Sequence, residues 1–154
     1  MARIRIGDII EIPTPKGFAY AQFINEHKRY GPLLRVFCGL HDGRPIDPTQ
    51  SMVGEVQFVC FFPLRAAIRQ KIVSVVARDA VPPEAAEFPV FRAGVVDPTT
   101  GKVAVWWLWD GEREWRVGTL SDEQRSLPIR GVWNDTLLIE RILAGWRPQT
   151  DSST

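Results

Sequence analysis

Eight short β-rich runs, each closed off by Gly, Pro or Asp, are what most restricts the folds open to this chain. They cover residues 3–12, 18–25, 33–38, 56–62, 72–78, 88–92, 103–109 and 114–118, with turn chemistry at 13–17, 42–48, 82–83, 97–101 and 110–111. Val, Ile and aromatic side chains suit a pleated, half-buried surface, whereas Gly, Pro and Asp accommodate tight reversals. No alternation of strand with long helix supplies the crossovers that parallel strands need, and no segment repeats. The expected fold is mostly β (α+β): an antiparallel curved sheet or open barrel with a C-terminal helix packed on it.

That helix is the one late break in the pattern. Asn134 or Asp135 can cap its first turn, because a short side-chain oxygen satisfies an orphan amide there. Leu138 with Ile142, and Ile139 with Leu143, form i,i+4 pairs on one stripe, so a helix over 135–144 is expected with Leu138, Ile142 and Leu143 buried. Gly145 suits the left-handed position after the last turn, and Pro148 prevents continuation. Residues 64–71 form either a second, basic-sided helix or a loop, and 43–51 with Lys28 and Arg29 read as solvated loops. At 154 residues the chain fits a single globular domain over 1–148, followed by a flexible tail at 149–154.

The richest chemistry lies at Val105-Trp106-Trp107-Leu108-Trp109-Asp110-Gly111-Glu112-Arg113-Glu114-Trp115. Asp-Gly between two β-rich runs is a strong hairpin signal. With Asp110-Gly111 as a two-residue loop, Trp109 pairs with Glu112, Trp107 with Glu114 and Trp106 with Trp115. Alternation then puts Ala104, Trp106, Leu108, Trp115 and Val117 on a core face. Trp107, Trp109, Glu112 and Glu114 share the other face with Val105 and Arg116. Either the helix over 135–144 covers those two indoles, or they form an aromatic and acidic surface for a partner, Trp being a frequent binding anchor. Tyr20, Gln22 and Arg35 are the polar residues placed to project from the first sheet, either as a second contact surface or as an ordinary polar strand face.

Other chemistries find little footing. Net charge is +1, although residues 1–78 carry 11 Lys/Arg against 6 Asp/Glu and the remainder is acidic; this is neither a uniformly basic nucleic-acid binder nor an acidic nucleic-acid mimic. Cys38-Gly39-Leu40-His41 offers at most two zinc ligands, with Asp42 and Asp47 nearby and His27 and Cys60 elsewhere, so no metal or other cofactor is expected. Ser51, Ser74, Ser121 and Ser126 sit in no nucleophile-elbow context, and no phosphate-cradling glycine loop occurs; no catalytic residue is expected. Cys38 and Cys60 lie inside apolar runs, as two small buried thiols of a reducing compartment do. No apolar run approaches the roughly 18 residues of a membrane span, and a cytoplasmic location with no membrane partner is expected.

Three ordered segments carry a family resemblance. They are Gly7-Asp8-Ile9-Ile10-Glu11-Ile12-Pro13, Gly17-Phe18-Ala19-Tyr20-Ala21-Gln22 and Gly31-Pro32-Leu33-Leu34-Arg35-Val36-Phe37. Together they resemble the immunity protein 26 family of bacterial polymorphic toxin systems, with fainter echoes at Trp106–Gly111 and Leu137–Gly145. The resemblance implies a cytoplasmic protein that binds and neutralises a cognate toxin domain, such as a nuclease, by masking it. It carries over no catalytic residue, cofactor or direct nucleic-acid binding. Similar small proteins have also carried an organophosphate-hydrolase label; a metal-dependent hydrolase wants several His and Asp ligands, and this chain has two His. A small β-barrel adaptor for a peptide or another protein is the alternative to toxin immunity.

Overall fold

The computed structural model describes residues 3–43, 45, 47 and 54–154. Eight strands match the eight β-rich runs: β1 (Asp8–Thr14), β2 (Gly17–His27), β3 (Gly31–Phe37), β4 (Val56–Phe61), β5 (Ser74–Arg78), β6 (Phe91–Ala93), β7 (Trp106–Trp109) and β8 (Glu114–Gly118). Among the described residues there are three α-helices: α1 (Leu64–Arg69), the short α2 (Pro83–Ala86) and α3 (Asp135–Ala144). All strand pairs are antiparallel, in an open five-stranded sheet ordered β4-β3-β2-β1-β5 and a three-stranded sheet ordered β6-β7-β8. Register shifts interrupt the β1–β5, β2–β3 and β3–β4 ladders, and such bulges increase local twist and curve the sheet. The loop expected at 43–51 lies mostly outside the described residues.

The strand alternation sorts side chains onto two faces of the larger sheet. Ile10, Ile12, Ala21, Phe23, Leu34, Val36, Phe58 and Cys60 point to one, where Leu64 and Ala67 of α1 and Leu138 and Ile142 of α3 close the main core. The capping expectation for α3 holds: Leu137 N–H donates to Asn134 Oδ1 at 2.8 Å, and Gly145 takes φ +64°. Leu143 is only half-buried, because the stripe facing the sheet runs through Leu138 and Ile142. Gln57 donates from Nε2 to the carbonyls of Arg141 and Trp146, both at 3.1 Å, tying the end of α3 to β4.

The opposite face carries Ile24, Leu33 and Phe61, against which the smaller sheet docks. Phe61 stacks on Phe91 of β6 at 5.1 Å, and Trp109 of β7 joins the same cluster. The start of β1 is held by close backbone approach. Gly7 has φ +105°, and a Cβ there would lie 2.6 Å from the Asp79 carbonyl oxygen, while Asp8 Oδ2 accepts the Arg5 amide at 2.8 Å.

Residues 149–154, expected as a flexible tail, are instead tied into the fold. Pro148–Thr150 form a single 3-10 turn, Val103 N–H donates to the Ser153 carbonyl at 2.9 Å, and the buried Arg92 donates to Pro148 O and to Thr154 Oγ1. Asp151 organises this segment. Its carboxylate accepts the Trp146 indole N–H at 3.0 Å and both the amide and the hydroxyl of Ser153, and Arg141 lies 3.8 Å away. Burial alone raises the Asp151 pKa, but the Ser153 and Trp146 hydrogen bonds and the Arg141 charge outweigh it and hold the carboxyl below its ordinary value. A lowered folded-state pKa means stability that is present above the ordinary carboxylate value of about 4 and is lost as pH falls through the lowered one. Asp151→Asn is therefore expected to lose stability at neutral pH and to show a shallower loss than wild type as pH falls below about 4, read by urea melts at successive pH values. Parallel pH profiles for the two proteins would remove Asp151 from the account.

Candidate functional site: the hairpin groove

The β7–β8 hairpin forms, but not in the expected register. Trp109 pairs with Glu114, Leu108 with Trp115, Trp107 with Arg116 and, after a register shift, Trp106 with Gly118. The two-residue loop would need positive φ at Asp110, and Lys71 is the only non-glycine residue with positive φ among those described. Asp110 instead uses its side chain: Oδ1 accepts the amides of Glu112 at 3.0 Å and Arg113 at 2.8 Å, and the backbone closes from Asp110 N–H to Arg113 O. The connection becomes four residues, 110–113, so Glu112 sits in the turn rather than opposite Trp109. These amide bonds, Arg113 before Glu112, lower the Asp110 pKa.

Alternation still puts Trp107, Trp109, Glu114 and Arg116 on one face, but burial follows the neighbours rather than the alternation. Trp109 is 6% exposed, enclosed by His27 (5.0 Å between centroids), Tyr30 (5.0 Å), Phe91 (5.4 Å) and Phe88 (5.7 Å). Trp107 is 37% exposed, and Trp115, expected in the core, is 40% exposed. The helix does not cover the indoles: α3 packs on the other face of the large sheet.

Between the β2–β3 turn and this hairpin runs a groove of about 830 Å³, floored by His27, Tyr30, Phe88 and Trp109 and edged by Glu112, Glu114 and Arg130. His27 spans it. Its Nδ1 accepts the amides of Arg29 and Tyr30, at 3.1 and 3.3 Å, so Nε2 carries the hydrogen and donates to Gly111 O at 2.8 Å. Gly111 has φ +102°, and a Cβ there would meet Phe88 at 2.9 Å, which lets the turn rest directly on that ring. Arg130 bridges the floor and the edge. Its guanidinium lies 5.4 Å from the Trp109 ring and donates to Glu114 Oε2 at 2.6 Å. Beyond Glu114 and Arg130 a second depression of about 460 Å³ holds Trp107 beside Val95, which is 87% exposed.

The groove thus gathers Trp109, Glu112 and Glu114, with Trp107 on its far shoulder. Tyr20, Gln22 and Arg35 lie elsewhere, on the large sheet. Tyr20 is buried and donates from its hydroxyl to Glu11 Oε2 at 2.8 Å. Gln22 is fully buried: Nε2 donates to Asp79 O at 2.9 Å and Gly7 O at 3.3 Å, and Oε1 accepts Arg35 Nη2 at 2.7 Å and Nε at 3.0 Å. Both side chains cross-link strands rather than project. Arg35 alone reaches a surface pocket, of about 250 Å³, where burial lowers its pKa against the opposing pull of Glu84 and Asp79.

Tyr30, Phe88 and Arg130 are groove residues that the sequence did not single out, and His27 entered there only among remote metal-ligand candidates. The link from His27 to Gly111 spans 84 positions, and no local pattern announces it. Among the described residues no group of three or more His, Cys, Asp and Glu is placed to hold a metal ion. The cysteines are unpaired: Cys60 is buried in the main core, its pKa raised by burial, and half-buried Cys38 accepts a hydrogen bond from Arg147 Nη2 at 3.1 Å. No helix of the described residues is long and apolar enough to cross a membrane. No protein-family model, curated protein or solved structure matches the chain.

Proposed function

We propose that this protein acts by binding a protein partner through the hairpin groove and its Trp107 shoulder. We further propose that the partner is a cognate bacterial toxin domain with a basic surface, which it masks in the cytoplasm. The observation that carries the binding reading is an indole left 37% exposed on the strand that buries Trp106 and Trp109, beside an 87% exposed Val95. A rigid, half-exposed Trp is the side chain most enriched among interface hot spots. Glu112 and Glu114 stand on the groove edge, Glu114 held by Arg130 and with Lys28 and Arg29 in the same lining, so Glu112 is the edge carboxylate that would meet a basic cleft such as a nuclease's. The toxin identity rests on the three opening segments that resemble immunity protein 26. Inhibition by masking needs no chemistry from this chain.

The test is co-expression with the protein encoded immediately upstream, followed by binding kinetics on the purified pair. Trp107→Ala is expected to speed dissociation about 30-fold, the loss of a ~2 kcal/mol anchor, with little change in association. Glu112→Lys should mainly slow association, and the difference should shrink as salt screens it over a ~10 Å Debye length at 0.1 M. An upstream product that neither kills cells nor binds this protein overturns the toxin reading; wild-type kinetics in both variants move the contact away from the hairpin.

A further inference from the structure

β8 is an edge strand with a carboxylate and a guanidinium two positions apart. It pairs with β7 on one side, and among the described residues no backbone hydrogen bond or bridge joins Glu114–Gly118 to anything on the other. Proteins normally blunt such edges with charged side chains, above all Lys, with Pro or with a covering segment. Here the exposed residues are the first three of the strand, Glu114, Trp115 and Arg116, with Glu114 also paired to Arg130 on its own chain. A carboxylate and a guanidinium flank an indole, and Arg116 makes no ion pair among the described residues.

We propose that β8 pairs antiparallel with β8 of a second copy, about a two-fold axis through Trp115. Charge decides both the direction and the register. Antiparallel pairing with Trp115 opposite the partner's Trp115 sets each Glu114 opposite the partner's Arg116, giving two opposite-charge pairs related by symmetry. A slip that centres the axis on Glu114 or on Arg116 puts like charges directly opposite, as does parallel in-register pairing, and like charges directly opposite destabilise a sheet. The axis also brings together the two Trp115 rings, each 40% exposed. Aromatic cross-strand pairs are among the more favourable. A two-fold contact of this kind closes on itself, joining two three-stranded sheets into one of six strands and leaving no further copy of this edge to propagate. With the axis on Trp115 only residues 114–116 of each β8 pair strand on strand, far less than the roughly 1,200–2,000 Å² of a stable complex, so the dimer is weak. The inference stands independently of the toxin reading.

Sedimentation velocity over about 5–500 µM tests it, with circular dichroism confirming that each variant folds. Wild type is expected to pass from monomer to dimer, and Arg116→Glu to weaken dimerisation at least tenfold by setting carboxylate against carboxylate. Glu114→Arg should do the same with guanidinium against guanidinium. Mixed in equal amounts, these two single variants should recover a dimer, because each then offers the sign the other lacks at both positions. A wild-type protein monomeric throughout, a dimer indifferent to Arg116→Glu, open-ended oligomers, or a mixture that stays monomeric each overturns the proposal.

Discussion

Leu138→Asp is expected to lower the stability of the fold by about 4 kcal/mol or more, a large share of the roughly 5–15 kcal/mol that holds an ordinary domain folded. Leu138 is fully buried where α3 meets the large sheet, in one cluster with Ile10, Ile12, Leu34 and Phe58. The substitution removes the transfer free energy of a buried Leu and puts a carboxylate into an apolar site with no cation to receive it. The nearest basic residue on the helix, Arg141, is already held between Trp133 at 4.5 Å and Trp146 at 4.2 Å. Leu138→Ala separates the two costs, since truncation alone should lose about 2–4 kcal/mol. A urea melt of Leu138→Asp that overlays wild type would remove α3 from the core.

The outline of this fold was legible because its signals are local. β-branched runs between Gly, Pro and Asp placed all eight strands, and a cap, two i,i+4 apolar pairs and Gly145 placed α3 at its observed bounds. What the sequence could not show was which strand face meets another layer. The alternation correctly separated Trp107 and Trp109 from Trp106 and Leu108, yet it assumed a single buried face. Phe61, Phe88 and Phe91 roof Trp109 from elements up to 48 residues away, while nothing comparable covers Trp115. Gln22 teaches the same point from the other side. A polar residue on a strand looks like a wet face until a carbonyl 57 positions away, that of Asp79, turns out to need its amide. The hairpin register failed for a different reason: Asp110 had two ways to make a turn, and side-chain capping of Glu112 and Arg113 lengthened the loop.

Because Trp109 is enclosed and Trp107 is not, alanine at the two positions should have opposite consequences. Trp109→Ala is expected to cost about 3–5 kcal/mol of folding stability, the range for truncating a buried Trp. The ring joins the two sheets: it packs on Phe91 of its own sheet and on His27, Tyr30 and Phe61 of the larger one. Its loss also removes the aromatic face above which Arg130 lies and the wall against which His27 holds Gly111. Trp107→Ala should change stability by no more than about 1 kcal/mol, since much of the ring already faces water. Urea melts read the stabilities, and partner kinetics are then interpretable for Trp107→Ala alone. Any faster dissociation seen with Trp109→Ala would report a loosened sheet junction as readily as a lost contact. Trp109→Phe separates these possibilities, keeping an aromatic plug while shortening the side chain. If Trp109→Ala proves as stable as wild type, the aromatic cluster does not hold the sheets together, and the groove floor becomes a contact surface in its own right.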